Sequence, residues 1–386
     1  MITFGLQVTP VKPLPRGHFA WRIGKDFIWP WFHHFNDALT QPMVHRPDFR
    51  AHVAAEHARG CAVLPYFFPA SMKAEARDCL AYKNEWGHPG DLPDLLAEQA
   101  MPPDMKMQMD TSWTDYFMAG LETFIRDFGI DGVYYDTALP FRRSQVDEKG
   151  ARSTHWPIFA CREFTRRTAN LFEKHRGPGN YVLLHHMSDN MAMPIFSFMT
   201  LAFDGEQYNR VPPDCVDYTR LLPLDRAEVI NNPEHWGFPC MFLPEIPVRK
   251  TAEARRTTRA ATDSLLAILL PLGNSWWDGP MDWRRQQQIA DALERFGIAT
   301  ATFHPYWRQR EIAAPEGVLV SYYAKGARRL VIVSNPGPSP KKAVLKLAAL
   351  AVRCADALDE PMPKPANGEI ALDLAPRSFR LLELEG

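Results

Sequence analysis

Through about the first 300 residues, short apolar runs alternate with amphipathic stretches of helical period. That alternation limits the fold more than any other feature of the chain. Strand candidates fall at 2–8, 61–68 (CAVLPYFF), 105–109, 131–136 (DGVYYD), 181–186 (YVLLHH), 199–204 (MTLAFD), 240–245 (CMFLPE) and 272–277 (LGNSWW). Helix candidates fall at 49–60, 113–128, 157–175, 251–270 and 282–296. In 113–128, Tyr116, Phe117, Leu121, Phe124, Ile125 and Phe128 recur at spacings of three and four, and Gly129 stops the run. In 157–175, Phe159, Phe164, Leu171 and Phe172 are read as inward-facing. Near-continuous apolar strands, each followed by a helix, make a parallel sheet covered by helices. About eight such repeats predict an α/β fold of the (β/α)8 TIM-barrel type. An open doubly wound sheet is the alternative, but no Gly-rich phosphate loop follows the first strand.

Beyond about residue 310 the pattern changes. β-like runs at 317–323, 329–334, 343–347, 370–374 and 378–384 are separated by turn clusters such as NPGPSP at 335–340. This predicts an antiparallel β-sandwich. The expected organisation is a catalytic barrel over 1–309 and a sandwich domain over 310–386.

Composition narrows the function. Lys plus Arg number 44 and Asp plus Glu 45, for a net charge of −1, so no basic surface is on offer to nucleic acid. No apolar run is long enough to span a bilayer, and the amino-terminal segment lacks the apolar core of a signal peptide. A cytoplasmic protein without a membrane partner is expected. Six cysteines without a CxxC pair argue against a disulfide framework or zinc ribbon. With 34 prolines among 386 residues and 12% aromatics, long ordered loops rich in flat rings are expected.

Acids recur where the strand candidates end. Asp136 closes VYYD, Asp204 closes LAFD with Glu206 two residues on, and Glu245 closes MFLPE. In a barrel the strand C-termini share one mouth, and an unpaired carboxylate there is costly, so their recurrence suggests joint use. Two carboxylates flanking a glycosidic bond are the equipment of glycoside hydrolysis. Glu206, in the more apolar sequence neighbourhood, is assigned the proton donor and Asp136 the nucleophile or charge stabiliser. Asp204 and Glu245 are assigned to orient them. His185 and His186 close YVLLHH, and Tyr208 follows Glu206. Trp31 and His33 lie in FIWPWFHHF, and Trp277 and Asp278 follow the last strand. These are read as sugar contacts, the rings stacking on pyranose faces and the polar groups bonding hydroxyls. The expected partner is an oligosaccharide or glycoside, with no cofactor and no metal. Asp131 is read as a structural turn residue with Gly132, and Asp147 and Glu148 as a solvated loop. Two other functions remain open at this level. One is a carbohydrate-binding barrel without catalysis. The other is a metal-dependent hydrolase using His185 or His186 with Asp204.

The segments GIDGVYYDT (129–137), WPIFACREF (156–164), FDGEQYN (203–209) and NSWWDGP resemble uncharacterised bacterial proteins related to glycoside hydrolase family 123. The resemblance implies a (β/α)8 catalytic domain with a carboxy-terminal β-sandwich, acting on carbohydrate. Family 123 uses an adjacent Asp-Glu pair assisted by the substrate's acetamido group. Here a glycine separates Asp204 from Glu206. The layout of α-galactosidase-like barrels, with a nucleophile after strand four and an acid/base after strand six, also suits Asp136 and Glu206.

Overall fold

The computed structural model describes residues 49–58, 63–73, 77–87, 104–136, 143–146, 148–177, 181–185, 198–205, 217–231, 240–244, 258–276, 281–347, 353–362 and 365–386. Packing divides the chain into two units, one of Pro10–Phe203 and one that includes Asp204–Gly386.

The first unit runs through α1 (Phe49–Ala58), β1 (Tyr66–Phe67), β2 (Ser71–Lys73), α2 (Arg77–Trp86), β3 (Asp104–Lys106) and α3 (Trp113–Phe128). It continues with β4 (Gly132–Asp136), β5 (Arg143–Val146), β6 (Arg152–His155), α4 (Ile158–Arg176) and β7 (Tyr181–His185), and reaches β8 (Leu201–Asp204). Strands β1, β4, β7 and β8 lie side by side in that order, all parallel. Val133, Tyr134 and Tyr135 are buried in succession, as a strand covered on both faces requires.

Helices α3 and α4 cover one face. On α3, Trp113, Phe117, Leu121, Phe124 and Ile125 are buried, the stripe that spacings of three and four produce. Gly129, at φ 68°, ends the helix by donating its N–H to the Ile125 carbonyl at 3.0 Å. The Phe67 ring meets Phe117 and Phe124 at 5.7 and 5.4 Å, and Tyr135 meets Phe117 and Phe164 at 5.9 and 5.3 Å. The Tyr135 hydroxyl hydrogen-bonds the Thr168 hydroxyl on α4 at 2.9 Å. Helix α4 begins at Ile158 and ends at Arg176, matching the expected span closely. Phe164 and Phe172 are fully buried, but Phe159 is 80% exposed. Five residues at 100° each put Phe159 about 140° around the helix from Phe164, away from the sheet.

Besides Phe159, two expectations need correction in this unit. The run at 105–109 does form a strand, β3, but it pairs antiparallel with β2 outside the parallel sheet. β3 ends at Lys106, and Met107 beyond it pairs with Gly87 in an isolated bridge. The connection from β4 to α4 holds an antiparallel hairpin of β5 and β6 where a polar loop was expected. Among the described residues no helix is long and apolar enough to cross a membrane.

The second unit contains α5 (Leu224–Ile230), β9 (Cys240–Phe242), α6 (Arg259–Leu269), β10 (Ser275–Trp276) and α7 (Trp283–Phe296). Strands β9 and β10 pair in parallel, Met241 opposite Ser275 and Phe242 opposite Trp276. Asp282 caps α7 by accepting from the Arg284 and Arg285 amides at 3.0 and 3.1 Å. Then follow β11 (Thr302–His304), β12 (Ile312–Ala313), β13 (Leu319–Lys325), β14 (Arg328–Asn335), β15 (Lys341–Leu347), β16 (Arg353–Asp356), β17 (Glu369–Leu374) and β18 (Ser378–Glu385). They form a five-stranded sheet ordered β11-β13-β14-β18-β16 and a three-stranded sheet ordered β12-β15-β17, with every pairing antiparallel.

Alternation along β14 decides how these layers pack. Val331 and Val333 join Leu345, Ile370 and Leu372 in the core between the two sheets. Leu330 and Ile332, one residue out of phase, join Leu265, Ile268 and Leu269 of α6 in a second core. The larger sheet is therefore buried on both faces.

Candidate functional site

Asp136 ends β4, and its position follows from the packing of Tyr135. Tyr135 faces the helices, so the two-residue period puts position 136 on the opposite face of the sheet. In the β4/β7 register Asp136 pairs with His185, and His185 in turn pairs with Phe203 on β8. One row at the carboxyl ends of three parallel strands thus reads Asp136, His185, Phe203. Adjacent strands lie roughly 4.8 Å apart, so Asp136 and His185 are neighbours across one strand spacing. Asp204 follows Phe203 by one residue, out of phase with that row.

Gly205, between Asp204 and Glu206, has φ +133°, and a Cβ there would lie 2.3 Å from the Leu243 carbonyl oxygen. No side chain fits. The residue after Asp204 is thereby held against the segment leaving β9, two residues before Glu245.

Asp131, at the other end of β4, is a structural anchor. Its carboxylate accepts from the Val63 amide at 2.7 Å and from Arg176 at 2.8 Å, and meets His57 at 2.8 Å. The structural reading of this acid holds. Cys161, in the first turn of α4, is buried, and burial first, with the charge of Asp110 after it, pushes its thiol pKa up to about 12, which makes it an inert core group. Trp276 is also core: it is 1% exposed, and its indole N–H donates to Gln286 at 3.3 Å.

Of the remaining predicted site residues, Glu206, Glu245, Trp31, His33, His186, Tyr208, Trp277 and Asp278 lie outside the described residues, as does the strand expected at 2–8. Among the described residues no group of three His, Cys, Asp or Glu side chains is placed to hold a metal. Sequence reasoning missed the β5/β6 hairpin and the two exposed aromatics that follow it, Trp156 (52%) and Phe159 (80%). The hairpin's signal was the polar turn DEKGA between two short runs, with Gly150 at φ 78°.

No protein-family profile matches the chain, and no curated protein matches it in sequence. Solved structures do match. A maltogenic alpha-amylase from Thermotoga neapolitana superimposes with TM-score 0.58 at 11% identity, covering 88% of this chain and 81% of that one. The alpha-amylase from H. orenii gives 0.59 at 10%, covering 88% and 83%. The Geobacillus thermoleovorans alpha-amylase complexed with acarbose gives 0.54 at 12%, covering 88% and 81%. The chain has an alpha-amylase-like fold with carboxy-terminal antiparallel sheets. The expected kinship with family 123 specifically finds no support in these comparisons; the likeness is to alpha-amylases.

Proposed function

We propose that this protein is a glycoside hydrolase whose barrel, spanning 1–309, carries a pair of catalytic carboxylates at its carboxyl-terminal face. Residues 310–386 form its β-sandwich domain, whose larger sheet β11 completes. The observation that carries the reading is the row formed by Asp136 and His185 at the ends of adjacent parallel strands, in a chain with an alpha-amylase-like fold. In (β/α)8 enzymes that end of the strands holds the chemistry.

In this reading Glu206, protonated, donates to the leaving glycosidic oxygen. Asp136, ionised, attacks or stabilises the oxocarbenium-like centre, and water completes the cleavage. Asp204 and Glu245 orient the pair. Trp31, His33, His185, His186, Tyr208, Trp277 and Asp278 bind the sugar, and no cofactor takes part. The substrate is an oligosaccharide or glycoside.

The test is hydrolysis of maltoheptaose and of a panel of aryl glycosides by wild type, Asp136→Asn and Glu206→Gln. Loss of either carboxylate is expected to lower kcat/KM by about 10³ or more on whichever substrate the wild type cleaves. Turnover within tenfold of wild type in both variants overturns the assignment.

A further inference from the structure

Two exposed large hydrophobic side chains among the described residues lie three positions apart where the connection that begins at Asp136 enters α4. Trp156 is 52% and Phe159 80% exposed; Pro157, the cap of α4, separates Trp156 from the first turn, which holds Phe159. The fold fixes them from both sides. Trp156 directly follows β6 of the hairpin, and its carbonyl accepts from the Ile158 amide at 2.7 Å. Phe159 is already helical.

Their height above the sheet follows from α4. Arg176 at the end of α4 bonds Asp131 just before β4, while Phe164 packs on Tyr135 near the end of that strand. The helix therefore runs antiparallel to β4. Phe159 lies five residues, about 7.5 Å, beyond Phe164, whereas Asp136 lies only about 3.3 Å beyond Tyr135. The aromatic pair stands at or past the level where β4 ends, on the rim toward which Asp136 closes the strand.

Resting on the carbohydrate reading above, we propose that Trp156 and Phe159 form a stacking platform for a pyranose chain, holding glycan units away from the bond that is cleaved. Two observations favour a sugar over a protein partner. Fully buried, a Trp and a Phe cover at most about 500 Å² together, short of the roughly 800 Å² a side that a stable protein interface uses. One turn on from Phe159 stand Arg162 and Glu163, both half-exposed, with Glu163 ion-paired to Arg166 at 2.5 Å. Protein interface centres are depleted of glutamate, whereas flat rings beside polar groups suit the two faces of a sugar.

The experiment is titration calorimetry of the full chain with maltoheptaose and with cellohexaose, α- and β-linked probes. Wild type, Trp156→Ala, Phe159→Ala, the double variant and Asp136→Asn are compared, with circular dichroism confirming the fold. The expected result is that one probe binds wild type, and that the double variant loses at least tenfold in affinity. Wild-type affinity in the double variant, or no binding of either probe to wild type, overturns the platform. So does a wild type that self-associates in sedimentation and is made monomeric by the double variant, with glycan affinity unchanged. Hydrolysis, measured separately, keeps the two proposals distinct. Binding that needs the platform, in a protein that cleaves nothing, overturns the hydrolase and leaves the platform. Cleavage that needs Asp136, with binding indifferent to Trp156 and Phe159, does the reverse.

Discussion

At residue scale, Gly205 is a position where the backbone tolerates no side chain. Its φ of +133° is closed to L side chains, and the Leu243 carbonyl occupies the space a Cβ would take. Gly205→Ala is expected to cost more than about 2 kcal/mol, combining backbone strain with steric overlap. Urea unfolding checks this, and a change under about 0.5 kcal/mol, the range of neutral surface substitutions, contradicts it. The isolated residue signals the opposite of what it does at Phe159. A phenylalanine in an amphipathic run reads as core, yet its angular distance from Phe164 and Phe172 exposes it. Trp276 shows how neighbours in sequence part: beside Trp277 it is a buried ring bonded to Gln286, while Trp283 is 68% exposed.

At element scale, α3 and α4 meet along an apolar seam whose rim is charged. Glu122 on α3 accepts from Lys174 at 2.8 Å and meets His175 at the same distance. Lys174 first, and His175 after it, hold the Glu122 carboxyl below its ordinary value of 4.5. The stabilisation is therefore present above 4.5 and is lost as pH falls through the lower folded value. Glu122→Gln is expected to cost under about 1 kcal/mol at neutral pH, as for other exposed pairs, and the difference between the two proteins should shrink steadily as pH is lowered below 4.5. A wild-type advantage that stays constant as pH falls below 4.5 contradicts this linkage. Helices of this kind were legible in sequence because period, cap and stop agree: Trp113–Phe128 is found at its expected bounds, and Asp282 caps α7. β3 was legible as a strand but not as to its sheet, since three residues do not specify a partner.

At the scale of the molecule, each unit is organised around a sheet buried on both faces. In the second, β14 faces α6 with Leu330 and Ile332 and faces β15 and β17 with Val331 and Val333. Ser334 donates to the Ala267 carbonyl of α6, a further tie through the same strand. One strand serving two cores makes them open together. Ile332→Ala is expected to cost about 2–5 kcal/mol. Hydrogen exchange should show amides of α6 and β15 losing protection by the same amount. Protection retained in β15 while α6 exchanges freely contradicts that coupling.

Periodicity, turn residues and the length of apolar runs are local, so the sequence by itself determined the long helices at 113–128, 158–176 and 283–296, the strands around 132–136, 181–185 and 201–204, and the change to antiparallel strands beyond about residue 310. It also marked Asp136 as a strand-ending acid, because an acid after four residues of GVYY is visible without coordinates. Tertiary structure decided the rest. Register set Asp136 beside His185, a pairing of residues far apart in the chain that no local rule encodes. Packing of Tyr135 against α4 chose the face left to position 136, and the angle around α4 turned Phe159 outward. Those outcomes depend on which surfaces meet, and surfaces meet only when the whole chain has found its partners.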